Sequence, residues 1–155
     1  MTDKTRIAVM GIGNPLCRDD GLGIRVITEM RDNDKYGGVE IVDGGTAPDL
    51  LSLLNENIRK LIIVDALHGG GKPGTLYRLE IHESNIADDA PPSLHGLGVL
   101  DSLKMMQNLG MQTPEVVIIG VEPADTSHGL YLTPEIEAIL PQVLRAIGRE
   151  LRSAY

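Results

Sequence analysis

The 155-residue sequence contains no phenylalanine and no tryptophan, and its single cysteine is Cys17. Its core must therefore be assembled from Ile, Leu, Val, Met and Ala. One cysteine excludes an intrachain disulfide and any cysteine-rich zinc motif. No stretch approaches the ~20 apolar residues needed to cross a bilayer. The opening "MTDKTRIAVMG" has too short an apolar stretch for a secretory signal and no cleavage-site pattern, so a cytoplasmic location is expected. Basic residues are also scarce: 14 Lys and Arg stand against 22 Asp and Glu, a net charge of −8. That balance argues against nucleic acid, whose binding depends on neutralising phosphates, and against an anionic membrane surface. A cationic group, a basic peptide or a metal remains an acceptable partner.

What is present is an alternation of short β-rich runs with helical patterns. A chain of this length buries roughly 70% of the surface it exposes when unfolded, which favours one domain over residues 1–155. "RIAVMGI" (Arg6 to Ile12) is apolar, bounded by glycine and too short for a helix. "LGIRVITEMRD" then places Leu22, Val26, Ile27 and Met30 on one helical face. "GVEIVDGG" predicts a second strand ending at Asp43, and "TAPDLLSLLNE" a short helix capped by Thr46. "KLIIVDA" (Lys60 to Ala66) predicts a central strand ending on Asp65, and "TLYRLEIH" a fourth strand. Ser93 can cap a helix from about His95 to Leu109, with Leu97, Leu100, Leu103 and Met106 inward. "VVIIGVE" predicts a fifth strand, and "TPEIEAILPQVLRAIGRELR" a last helix that Pro141 kinks. The pattern implies a three-layer α/β/α sandwich around a mostly parallel sheet of about five strands.

The turn "GIGNPLCRDDGLG" (Gly11 to Gly23) resembles a phosphate bed only superficially. Gly11 and Gly13 fit the dinucleotide fingerprint, but its third glycine is replaced by Leu16 and Pro15 lacks a backbone donor. Asp19 and Asp20 would repel the anion, and no Gly-Lys-Ser/Thr follows to make a P-loop. Either aspartate taken alone would serve as a helix cap. In a parallel sheet, however, ligands bind at the carboxyl ends of the strands. Asp20 follows the first strand, Asp43 ends the second, Asp65 ends the third and His95 opens the helix after the fourth. Two carboxylates and an imidazole make an O,O,N set suited to Ni, Zn, Mn or Fe, and three ligands leave positions open.

Smaller signals weigh less. Cys17 lies among acids that oppose formation of a thiolate nucleophile, so a partly buried structural thiol is expected. "HGGG" (His68 to Gly71) resembles a lipase oxyanion loop, but no G-x-S-x-G elbow exists, and a mobile loop is expected. His82 is expected at the surface and His128 near the cleft, while Met105 and Met106 are read as core-packing residues.

At "GIGNPLCRDDGLG", "VDGGT", "LIIVDA", "SLHGLGVLDSL" and "GLYLTPEIE" the chain resembles the nickel–iron hydrogenase maturation endopeptidases, in order and over nearly its whole length. The resemblance implies an α/β/α endopeptidase that removes a C-terminal extension from the hydrogenase large-subunit precursor once nickel is inserted. It puts the family's metal ligands on Asp20, Asp65 and His95, and substrate contacts on Asp43, Gly44, Gly45 and Thr46. The nickel would arrive with the precursor, and no tightly held metal is expected in the free protein. Pro48 departs from the glycine frequent in the family after that threonine. Two rival readings are a non-catalytic nickel chaperone with the same ligands and a nucleotide-binding module, the latter opposed by the acidic turn.

Overall fold

The computed structural model describes residues 6–46, 57–81 and 99–154. The helix expected after Thr46, together with Pro48, His82, Ser93, His95 and Leu97, lies outside the described residues. Five strands form one sheet: β1 Arg6–Ile12, β2 Glu40–Gly45, β3 Ile58–Ala66, β4 Leu76–Ile81 and β5 Glu115–Val121. Among the described residues three helices accompany them, α1 Leu22–Arg31, α2 Val99–Asn108 and α3 Pro134–Arg152. Strand order is β2-β1-β3-β5-β4, parallel throughout except β4, which pairs antiparallel with β5 at the edge.

The continuous apolar runs of β1, β3 and β5 follow from burial on both faces. One set of alternating residues, including Val9, Ile62, Val64, Val117 and Ile119, packs with Leu22, Val26, Ile27 and Met30 of α1 and with Ile136, Leu140, Val143 and Ile147 of α3. The opposite set, including Ala8, Met10, Leu61, Ile63 and Ile118, packs with Leu103 and Met106 of α2. Met105, one position away, is half exposed and not a core residue. Each buried Ile or Leu contributes about 1.5–3 kcal/mol, and truncation to alanine at Ile62 would cost about 2–5 kcal/mol because no water-exposed side can relax.

Two strand boundaries differ from expectation by two residues each. β2 runs past Asp43 to Gly45, because a bulge between Gly11 and Ile12 lets the end of β1 keep pairing. β3 begins at Ile58, before Lys60, since Lys60 is itself buried. α3 continues unbroken through Pro141. The glycines of the first turn permit a close approach: a Cβ on Gly23 would lie 2.3 Å from the Val64 carbonyl oxygen. That contact draws the start of α1 onto the ends of β1 and β3, carrying the acidic turn with it.

Candidate metal-recognition site

The chain leaves β1 for β2 on one side and reaches β3 on the other, so the ends of β1 and β3 flank a topological switch point where α/β proteins bind ligands. Asp65 ends β3 on the face of Leu61 and Ile63 and is 9% exposed. Burial pushes its carboxyl up to about 7; the charge of Asp20 adds to the rise and the Ala66 N–H opposes it. Asp20, beyond β1, is therefore near enough to couple to Asp65. Two carboxylates close enough to repel in a partly dehydrated crevice are a poor structural device and a good cation receptor.

Neither aspartate of the turn caps α1. The N-cap is Gly21, with no side-chain hydrogen bond, and Arg18–Gly21 forms a short 3-10 turn ahead of the helix. Asp20 Oδ2 instead accepts the Asn14 N–H at 2.9 Å, and Asn14 Oδ1 accepts the Leu16 N–H at 2.9 Å. Asn14 thus shapes the turn that aims Asp20. Asp19, 1% exposed, accepts from the N–H groups of Ala124 (2.9 Å), Asp125 (3.0 Å) and Thr133 (2.8 Å) and from the Thr133 hydroxyl. It clamps the turn to the segment leading into α3. Sequence reasoning missed this role, because the partners of Asp19 lie at least 105 residues further along the chain. Thr133 holds the cap position, yet its hydroxyl goes to Asp19 and makes no cap bond.

Asp43 is exposed at the end of β2, and its Oδ1 accepts the Gly45 N–H at 2.8 Å. The Gly45 carbonyl in turn accepts the Gly13 N–H at 2.9 Å, so Asp43–Thr46 sits beside the acidic turn. Asp20, Asp43 and Asp65 accordingly come out on one edge of the sheet, and His95 is outside the described residues. Among the described residues no three His, Cys, Asp or Glu side chains converge as a metal cage.

Glu122, at the end of β5, alters the reading of the glycine loop. It accepts from Gly69 N–H (2.8 Å), Gly71 N–H (3.1 Å) and the Tyr77 hydroxyl (2.6 Å). These bonds hold its carboxyl below the usual carboxylate range, the tyrosine contributing most. The "HGGG" segment is tethered, not a free loop. His68 Nδ1 lies 3.8 Å from Glu122 while remaining largely exposed. Cys17 is half-buried and pairs with Gly129 through a single parallel bridge. A groove of about 740 Å³ lined by Tyr36, Arg145 and Arg149 lies at the far end of the sheet, where α3 finishes beside the start of β3.

Comparison with known proteins agrees with this architecture. A family model described as hydrogenase maturation protease matches residues 24–150. The hydrogenase 2 maturation protease of Escherichia coli K12 is 32% identical over 155 residues, covering 96% of this chain and 92% of its own. The coenzyme F420 hydrogenase subunit delta of Methanothermobacter thermautotrophicus is 30% identical, over 97% of this chain and 98% of its own. Among solved structures, the hydrogenase-maturating endopeptidase HybD from E. coli superposes with a TM-score of 0.79 at 30% identity, covering 97% and 94% of the two chains. No helix among the described residues is long and apolar enough to cross a membrane. A five-stranded, mostly parallel α/β fold, the carboxylate pair at its switch point and these full-length likenesses lead to one conclusion: the chain belongs to the hydrogenase maturation protease family and is a peptidase.

Proposed function

We propose that this peptidase removes the C-terminal extension of a nickel–iron hydrogenase large-subunit precursor after nickel insertion, recognising the nickel that the precursor carries. The observation that supports this most directly is the Asp20–Asp65 pair, whose mutual repulsion a cation would relieve. Asp20, Asp65 and His95 would supply oxygen and nitrogen donors to the incoming ion. Asp65 would give up its proton as the ion arrives, since below about pH 7 the buried carboxyl holds one. Asn14 keeps Asp20 oriented, and Asp19 holds the whole turn against the α3 entry. Asp43, Gly44, Gly45 and Thr46, half-buried to exposed beside the turn, would form the rim that contacts the precursor chain. Nickel, as the substrate's cargo, supplies Lewis-acid polarisation at the scissile peptide.

The test is incubation of purified protein with nickel-loaded and nickel-free precursor, followed by mass measurement. Loss of a C-terminal peptide from the loaded form alone is the expected result. Efficient cutting of the nickel-free form would overturn the recognition step. Nickel transfer without cleavage would identify a chaperone instead.

A further inference from the structure

Arg18 stands in the acidic turn, immediately before Asp19 and Asp20, with a backbone that arginine adopts at a cost: its φ is +47°. Space is also cleared for its side chain. A Cβ on Gly129 would lie 2.6 Å from the Arg18 Cζ, so the glycine lets the guanidinium lie directly against the main chain there. Yet the guanidinium makes no hydrogen bond among the described residues, and its Nε is buried without a partner. The nearest carboxylate, Asp125 Oδ2, is 3.8 Å from Nε, too far for a hydrogen bond. Ser127 engages the other oxygen, Oδ1, through its N–H at 2.8 Å and its hydroxyl at 2.6 Å, so Arg18 has only a long ion pair with Oδ2 and keeps its hydrogen-bond donors unused.

The side chain lines a pocket of about 250 Å³ together with Pro15, Ile24, Leu130, Tyr131 and Leu132. A second cation, Arg25, borders the same pocket but is taken up by Glu29 and by a two-pronged pair with Glu137. Arg18 is thus the guanidinium left available there. The adjoining surface is apolar to a degree uncommon for exposed residues: Leu16, Leu130 and Tyr131 are 58%, 68% and 79% exposed. Main-chain bonds make them neighbours, with Gly129 N–H donating to Leu16 and Arg18 N–H donating to Gly129.

We propose that Arg18 is a specificity-determining residue, and that the pocket beside it is a subsite for a precursor segment carrying a carboxylate next to an apolar side chain. A guanidinium with unused donors matches a carboxylate in a two-pronged fork, and the apolar wall excludes water from that pair. The strained backbone is then the cost of aiming the side chain at substrate. In a chain of net charge −8, a cation in the same turn as Asp20 also draws an acidic segment toward a site that would otherwise repel it. The carboxylate comes from an Asp or Glu side chain or from the free C-terminus of the extension. This inference rests on the precursor-processing reading.

The test compares wild type, Arg18→Gly and Arg18→Lys on nickel-loaded precursor, by processing kinetics and by direct binding. Glycine tolerates the left-handed backbone, so Arg18→Gly is expected to melt no lower than wild type. It should raise KM at least about tenfold while kcat falls less than about threefold, as loss of uniform binding predicts. Arg18→Lys keeps the charge without the fork and should fall between. Precursors with single Asp→Asn or Glu→Gln changes near the cleavage point, and one with two glycines added at its C-terminus, separate the two carboxylate sources. The responsible change raises KM for wild type and not for Arg18→Gly. Equal KM for wild type and Arg18→Gly would overturn the subsite and leave the protease reading intact. Binding without cutting by wild type, with binding lost in Arg18→Gly, would overturn the protease reading and keep the subsite. Wild-type protein that neither binds nor cuts would overturn both.

Discussion

The carboxylate of Asp19 accepts both the N–H (2.8 Å) and the hydroxyl of Thr133, a residue 114 positions further along the chain. This pair ties the turn after β1 to the N-cap of α3, and so fixes Asp20 one residue away. Adjacent acids in one motif therefore have opposite duties: Asp19 is buried and fully occupied, whereas Asp20 is half-buried and its charge reaches Asp65.

Asp19→Ala would leave the N–H groups of Ala124, Asp125 and Thr133 without their acceptor. Buried donors stranded in this way cost about 1–3 kcal/mol each, less when water enters, so a loss of about 3 kcal/mol is expected. Thermal melting should fall by roughly 6–12 °C for a chain of this size. A melting temperature unchanged from wild type would mean the clamp is dispensable.

Asp20→Asn separates stability from function. Asparagine retains an oxygen for the Asn14 N–H, so melting should move by less than about 2 °C. The negative charge offered to the precursor's metal is lost, and processing should drop by about a hundredfold or more. Retained processing by the folded variant would remove Asp20 from the ligand set.

Asp65 makes a specific prediction about pH. Its carboxyl titrates near 7 when folded and near the ordinary aspartate value of 3.8 when unfolded. Between those values the folded state binds the extra proton, so this group's contribution to stability falls as pH rises through that window. Asp65→Asn cannot ionise and escapes the penalty. The melting temperature of the variant minus that of wild type should therefore increase from pH 5 to pH 8. Taking the difference cancels Glu122, Asp125 and Glu150, whose lowered carboxyls act in the opposite sense. A difference that is flat with pH would contradict the buried, coupled carboxyl.

Metal binding by the free protein should share that proton. Calorimetric titration of Ni²⁺ into the purified chain is expected to show weak binding that weakens further as pH drops below about 7, with proton release on binding. Tight stoichiometric nickel across that range would argue for a resident cofactor.

Lys60 and Glu150 are a buried pair, 3.1 Å apart, at the opposite end of the sheet. Removing either partner is not equivalent. Lys60→Met leaves Glu150 with Arg78 at 2.6 Å and removes the buried ammonium itself, so no uncompensated charge remains inside. Glu150→Ala leaves the ammonium buried, with Glu115 at 3.6 Å as its remaining carboxylate partner. Denaturant unfolding should show Glu150→Ala destabilised by about 3 kcal/mol and Lys60→Met by clearly less.

Local sequence by itself determined the elements and the edge on which the chemistry lies. β1 was legible as Arg6–Ile12 and the inner face of α1 as Leu22, Val26, Ile27 and Met30, because burial on both sheet faces or on one helix stripe writes itself into periodicity. The positions of Asp20, Asp43 and Asp65 followed, since strand ends in a parallel sheet share an edge. Tertiary structure alone decided the rest. It made Asp19 a clamp where local rules offered a cap, tethered the "HGGG" loop to Glu122, turned β4 antiparallel and buried Lys60 against Glu150. It also placed Asp65 where dehydration and the Asp20 charge act together. The physical reason is common to all of these. Periodicity records how each segment meets the core, whereas hydrogen bonds and desolvation at a polar side chain depend on segments as much as 114 residues away, which no local pattern encodes.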